Sequence, residues 1–96
     1  MGNTAQAFSD RAQRFTMTAP LHFRKRGMAH WLEAQIVNIS QTGILFRTDE
    51  TVPANTLIDV RVDFPEYSHL DCQCTVVRTE PSLLAVQIQR HKLVHS

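Results

Sequence analysis

The sequence predicts an all-β protein, an antiparallel barrel or sandwich. Three observations carry this: apolar residues recur with a period of two in six separate runs, Pro, Gly, Asn and Ser punctuate the runs, and no stretch shows a convincing amphipathic helical period. Alternation is what a strand needs to bury one face and wet the other.

Residues 1–13 hold no sustained apolar period and read as a polar, partly flexible arm that forms a short helical turn or stays mobile until something binds. Residues 14–96 form the barrel domain. From Met17 to Lys25, Leu21 and Phe23 alternate with His22 and Arg24, and Pro20, lacking an amide hydrogen, suits a strand start. Arg26-Gly27 reads as a turn. His30 to Ile39 resumes the alternation, with Leu32, Ala34 and Ile36 opposed to Glu33 and Gln35. The apolar pair Ile36-Val37 breaks that alternation, which marks a bulge or a doubly covered strand end. Gly43 to Thr48 follows, with Ile44 and Phe46 on one side.

The second half alternates more cleanly. Leu57 to Phe64 sets Ile58, Val60, Val62 and Phe64 against Asp59, Arg61 and Asp63, and Pro65-Glu66 ends it. Leu70, Cys72, Cys74 and Val76 then alternate with Asp71, Gln73 and Thr75 up to Arg78. After the break at Glu80-Pro81-Ser82, Leu84, Val86 and Ile88 oppose Ala85, Gln87 and Gln89.

Composition limits what such a chain does. A length of 96 residues supports one domain with a modest core, not a cofactor-binding half joined to a substrate half. Hydrophobic residues make up 43% and charged residues 20%, and no apolar run approaches the roughly 20 residues that span a bilayer, so membrane insertion is not expected. No signal segment opens the chain, and Gln6 stands where a myristoylation pattern needs Ser or Thr, so a cytoplasmic location is expected. No nucleophile triad, Gly-rich phosphate loop or carboxylate pair rises above background, so the chain does not read as an enzyme. The five histidines lack metal spacing, and Cys72 and Cys74, on one strand face, read as small buried side chains, so no metal or cofactor is expected.

The net charge of +1 hides an asymmetry: residues 1–26 carry five basic side chains against Asp10, a net of +4, while residues 27–96 carry a net of −3. That pattern suggests a localised anion site rather than a nucleic-acid track, and neither DNA nor RNA is an expected partner. Between two of the strand runs stands the hexapeptide Asn38-Ile39-Ser40-Gln41-Thr42-Gly43. As a turn it needs a residue tolerant of positive φ, which Gly43 supplies, while Asn38 and Ser40 offer short side chains that hydrogen-bond backbone or ligand.

Arg14-Phe15-Thr16-Met17-Thr18-Ala19-Pro20-Leu21-His22-Phe23, then Trp31-Leu32-Glu33-Ala34, then Asn38-Ile39-Ser40-Gln41-Thr42-Gly43-Ile44-Leu45-Phe46 resembles a PilZ domain, and the similarity covers the chain from about residue 10. The resemblance implies a six-stranded antiparallel β-barrel and a receptor for the bacterial second messenger cyclic di-GMP, bound as a ligand. It also implies two gripping elements, an Arg-x-x-x-Arg stretch before the first strand and an Asp/Asn-x-Ser-x-x-Gly turn between the second and third. Asn38, Ser40 and Gly43 match the turn in full. Arg11 and Arg14 stand in the arm as Arg-x-x-Arg, with Asp10 at the family's first arginine position. Cyclic di-GMP carries two phosphates and two guanines, and an arginine fork can bind a phosphate, pair with a guanine edge or stack on a base. The ligand-binding set expected from the resemblance is therefore Arg11, Arg14, Asn38, Ser40 and Gly43, with the signal passed to a protein partner by ordering of the arm. The alternative is a PilZ-like interaction module that binds no nucleotide.

Overall fold

Alternating apolar positions fix which face of each strand turns inward, and closing the sheet on itself pairs the edges that an open sheet would leave bare. The computed structural model describes residues 15–16, 19–64 and 68–95. Its strands are β1 (Phe15–Thr16), β2 (Pro20–Lys25), β3 (Leu32–Ile39), β4 (Gly43–Arg47), β5 (Leu57–Phe64), β6 (Ser68–Glu80) and β7 (Leu83–His95). Neighbours run β3-β2-β5-β6-β7-β4 and β4 returns to β3, so six strands close an antiparallel β-barrel, as the sequence predicts. β1 is a two-residue addition to this barrel. Phe15 lies opposite Ile39 and Thr16 opposite Asn38, on the edge of β3 that β2 also uses.

The predicted inward residues fill the core. Leu21 and Phe23 of β2, Ile58, Val60 and Val62 of β5, and Cys72, Cys74 and Val76 of β6 are each at most 2% exposed. Phe23 and Phe46 meet across the barrel with ring centroids 5.0 Å apart. The two thiols are free, and that of Cys74, hydrogen-bonded to Cys72 and buried, is pushed well up, which leaves it protonated and inert.

Several strands depart from the predicted runs, β3 among them, since it begins at Leu32 and not His30. The pairing of β2 begins at Pro20, later than the Met17 start the alternation suggests, and β1 stands apart from it. β6 gains residues at both ends, and β7 continues to His95, well past Gln89.

The barrel ends differ. At the end near Thr48, the loop between β4 and β5 folds over the core: Val52 is 3% exposed, the Thr79 hydroxyl donates to the Val52 carbonyl, and Asn55 takes φ 72° to turn the chain back. The opposite end has no such plug among the described residues. Ile39, Leu70 and Ile88 are only partly buried there, and Phe64 and Leu93 are exposed.

Candidate functional site

The turn from Asn38 to Gly43 stands at the open end, where β3 reverses into β4. Its shape is held from within: the Ser40 amide donates to the Gly43 carbonyl at 2.9 Å, and the amides of Thr42 and Gly43 each donate to Ser40 Oγ at 3.2 Å. Such a hydroxyl replaces the backbone acceptor that a tight turn lacks. The tip is also tied to the wall, because the Ile88 amide donates to the Thr42 carbonyl at 2.8 Å. Ser40 is thus first a turn-fixing residue. Ser40 Oγ also lies 3.2 Å from Thr42 Oγ1, where either hydroxyl can donate, and its proton can alternatively reach the Gly43 carbonyl at 3.5 Å, so that proton is the part of the group a ligand can take.

Gly43 serves a purpose other than the one its sequence context suggests. Its φ is not positive; among the described glycines only Gly27, in the β2–β3 turn, has one, at 89°. What Gly43 supplies is close approach: a Cβ there would stand 2.8 Å from the Val86 carbonyl oxygen. β4 and β7 can pair at that register only because the side chain is absent.

The predicted bulge is present, and it decides where Asn38 points. Ile36 pairs with Phe46, but Asn38 pairs with Leu45 and Ile39 with Ile44, so Val37 is the extra residue. Strict alternation from Ala34 and Ile36 would turn Asn38 into the core. The bulge sends Ile39 inward instead and turns Asn38 to the outer wall.

A second bulge acts in the same way on β6. Val76 pairs with Val86, but Arg78 pairs with Ala85 and Thr79 with Leu84, leaving Val77 unpaired and 52% exposed. Arg78 therefore faces out where alternation with Cys74 and Val76 would have turned it in. The register now runs Asn38, Leu45, Ala85, Arg78 straight across β3, β4, β7 and β6 on the outer wall. Three inter-strand steps put the ends of this row about 14 Å apart. Asn38, Ser40, Gly43, Leu45, Arg78 and Ala85 line one shallow cavity of about 230 Å³. The Asn38 side chain has no hydrogen-bond partner among the described residues, and Arg78 is held only by its near neighbour Glu80.

Of the predicted site residues, the fold brings Asn38, Ser40 and Gly43 together; Arg11 and Arg14, like the whole arm, lie outside the described residues. Arg78 lines the same cavity and was not among the predicted residues. Its position depends on two bulges and on pairing across four strands, and only the local disruption at Val76-Val77 hints at it.

A larger concavity of about 450 Å³ lies elsewhere on the wall, beside Trp31. There the indole is flanked by the guanidinium carbons of Arg24 at 4.2 Å and Arg61 at 5.0 Å. Arg24 and Arg26 both reach Asp59, and Arg61 Nε donates to Asp71 at 2.8 Å. Burial alone would raise the Asp71 carboxyl, but the hydrogen bond and charge of Arg61, with His69, outweigh it and hold the carboxyl below its ordinary 3.8. These groups answer one another.

Among the described residues no group of three or more His, Cys, Asp or Glu is placed for a metal, and the row from Asn38 to Arg78 lies open beside a fixed turn. The family model for the PilZ domain matches residues 9–95, and the chain belongs to that family, whose members are receptor domains for cyclic di-GMP, bound as a ligand and not as a cofactor. A search of curated proteins found no match. No helix among the described residues is long and apolar enough to cross a membrane.

Proposed function

We propose that this chain is a cyclic di-GMP receptor of the bacterial cytoplasm, not an enzyme, in which residues 1–13 are an arm that the nucleotide draws onto the barrel of residues 14–96. The observation that carries this reading is the pairing of β1 with the end of β3. Arg14 directly precedes Phe15, whose partner is Ile39, so the arm joins the barrel beside Asn38 and the turn.

In this reading the nucleotide lies along the outer row. The Asn38 side-chain oxygen accepts from a guanine N–H, and Arg78 and the arm residues Arg11 and Arg14 supply the charge that two phosphates need. Ser40 and Gly43 contribute a rigid rim, with the Ser40 proton available to a phosphate oxygen. Ordering the arm changes the surface shown to a protein partner, an order–disorder switch driven by differential affinity for the two states. The alternative, an interaction module without nucleotide, draws on the Ser40 hydroxyl's engagement in its own turn.

Calorimetry on the full chain at low salt tests this. The reading expects saturable heat, a loss of about tenfold or more for Arg14→Ala, and less than about twofold for Arg47→Ala at the far end of β4. Equal losses would indicate general charge attraction. No heat at nucleotide concentrations of about 100 μM would leave the interaction module standing instead.

A further inference from the structure

β7 is longer than the barrel needs. Residues 83–87 have β4 on one side and β6 on the other, but beyond the Ile88 bond to Thr42, residues 90–95 pair only with β6 among the described residues. Among the described residues, one edge of this strand therefore offers a row of unpaired backbone donors and acceptors, a template for another strand.

The side chains along that edge divide by face. Cys72 pairs with His91 and Leu70 with Leu93, so His91 and Leu93 continue the inner face, beyond Ile88, while Arg90 and Lys92 point to the outer face. Next to the edge lies a cleft of about 280 Å³ lined by Ile39, Ser40, Gln41, Leu70, Ile88 and His91, with Leu93 52% exposed on the same face. Arg90 and Lys92 make no hydrogen bond or ion pair with a described residue, in contrast to Arg24 and Arg61 on the same wall.

We infer that this edge receives an extended segment of a partner protein in which acidic and apolar residues alternate. Main-chain pairing to 90–95 supplies affinity, the apolar side chains enter the cleft beside Ile39 and Ile88, and the carboxylates face Arg90 and Lys92. Charge decides between occupants. A second copy pairing antiparallel on the same edge would bring Lys92 against Lys92 or a neighbouring cation, and like charges directly opposed disfavour that ladder. The chain's own residues 1–14 hold Arg11 and Arg14 against Asp10 alone, which is no match for a basic edge. An acidic strand is complementary. The inference does not depend on nucleotide binding.

The experiment uses the full chain and a synthetic ten-residue peptide alternating Glu with Val or Leu, titrated by fluorescence anisotropy and followed by amide hydrogen exchange. Expected are saturable binding, slower exchange confined to residues 90–95, and a loss of about tenfold for the double variant Arg90→Glu/Lys92→Glu, which then takes the Lys-for-Glu peptide in preference. Circular dichroism melts confirm that the double variant folds, and Leu93→Ser, which keeps the charges, weakens the original peptide without reversing the preference. Binding without a change in exchange at 90–95 would overturn the inference, as would no binding at about millimolar peptide. Protection, in the peptide-free chain, of those amides of 90–95 that face away from β6 would overturn it too, whether a dimer or the arm provides it.

Discussion

The wall beside Trp31 and the wall beside Asn38 carry similar polar side chains and put them to opposite uses. On the first, Arg24 and Arg26 share Asp59, Arg61 holds Asp71, His22 lies 3.2 Å from Asp63, and two guanidinium groups enclose the indole. On the second, Asn38 has no partner among the described residues and Arg78 has only Glu80 beside it. Groups that satisfy one another stabilise the fold; groups left unsatisfied at a shaped rim are available to a ligand. In the larger cavity Arg24 and Arg61 are already paired with Asp59 and Asp71, and the cations left open at its rim, Arg90 and Lys92, belong to the β7 edge.

Substitutions should separate the two walls. The largest effect is expected from Gly43→Ala, where a Cβ would meet the Val86 carbonyl at 2.8 Å and backbone must move, at a cost of about 2–3 kcal/mol in urea unfolding. If the turn tolerates it with no loss, the account of β4 and β7 pairing fails. Asn38→Ala should cost about tenfold in nucleotide affinity while changing stability by less than about 0.5 kcal/mol, since the side chain faces out and bonds nothing in the described fold.

Trp31→Ala should do the reverse, lowering stability by about 1 kcal/mol through its two cation–π contacts and leaving nucleotide affinity unchanged. The smallest effect belongs to Asp71→Asn. Because the folded carboxyl titrates below 3.8, its pairing with Arg61 contributes above that pH and is lost as pH falls through the folded value. With both side chains 38% exposed, the contribution is at most about 1 kcal/mol. Stability curves of wild type and variant should therefore differ at neutral pH and merge in strong acid.

Much of the barrel was legible because one-residue alternation is a strong signal wherever one face is buried: Ile58, Val60 and Val62 were assigned inward from the sequence and are buried. The extension of β7 was not, since Arg90, His91 and Lys92 interrupt the apolar rhythm and β6 alone supplies their pairing. β1 was missed as a separate element because two residues give no period. In the site, the hexapeptide was legible as a turn, and Val37 as a bulge, from local sequence. The role of Gly43 was misread, since close approach to Val86 is set by a strand 43 residues away. Arg78 stayed hidden for the same reason: its partner row exists only after closure.

The most direct test is an amide chemical-shift map of the full chain titrated with cyclic di-GMP. The account predicts shifts concentrated in residues 38–43, at Val77 and Arg78, and in the arm around Arg11 and Arg14, with the Trp31 indole unmoved. Shifts centred on Trp31, Arg24 and Arg61, with residues 38–43 unchanged, would contradict it.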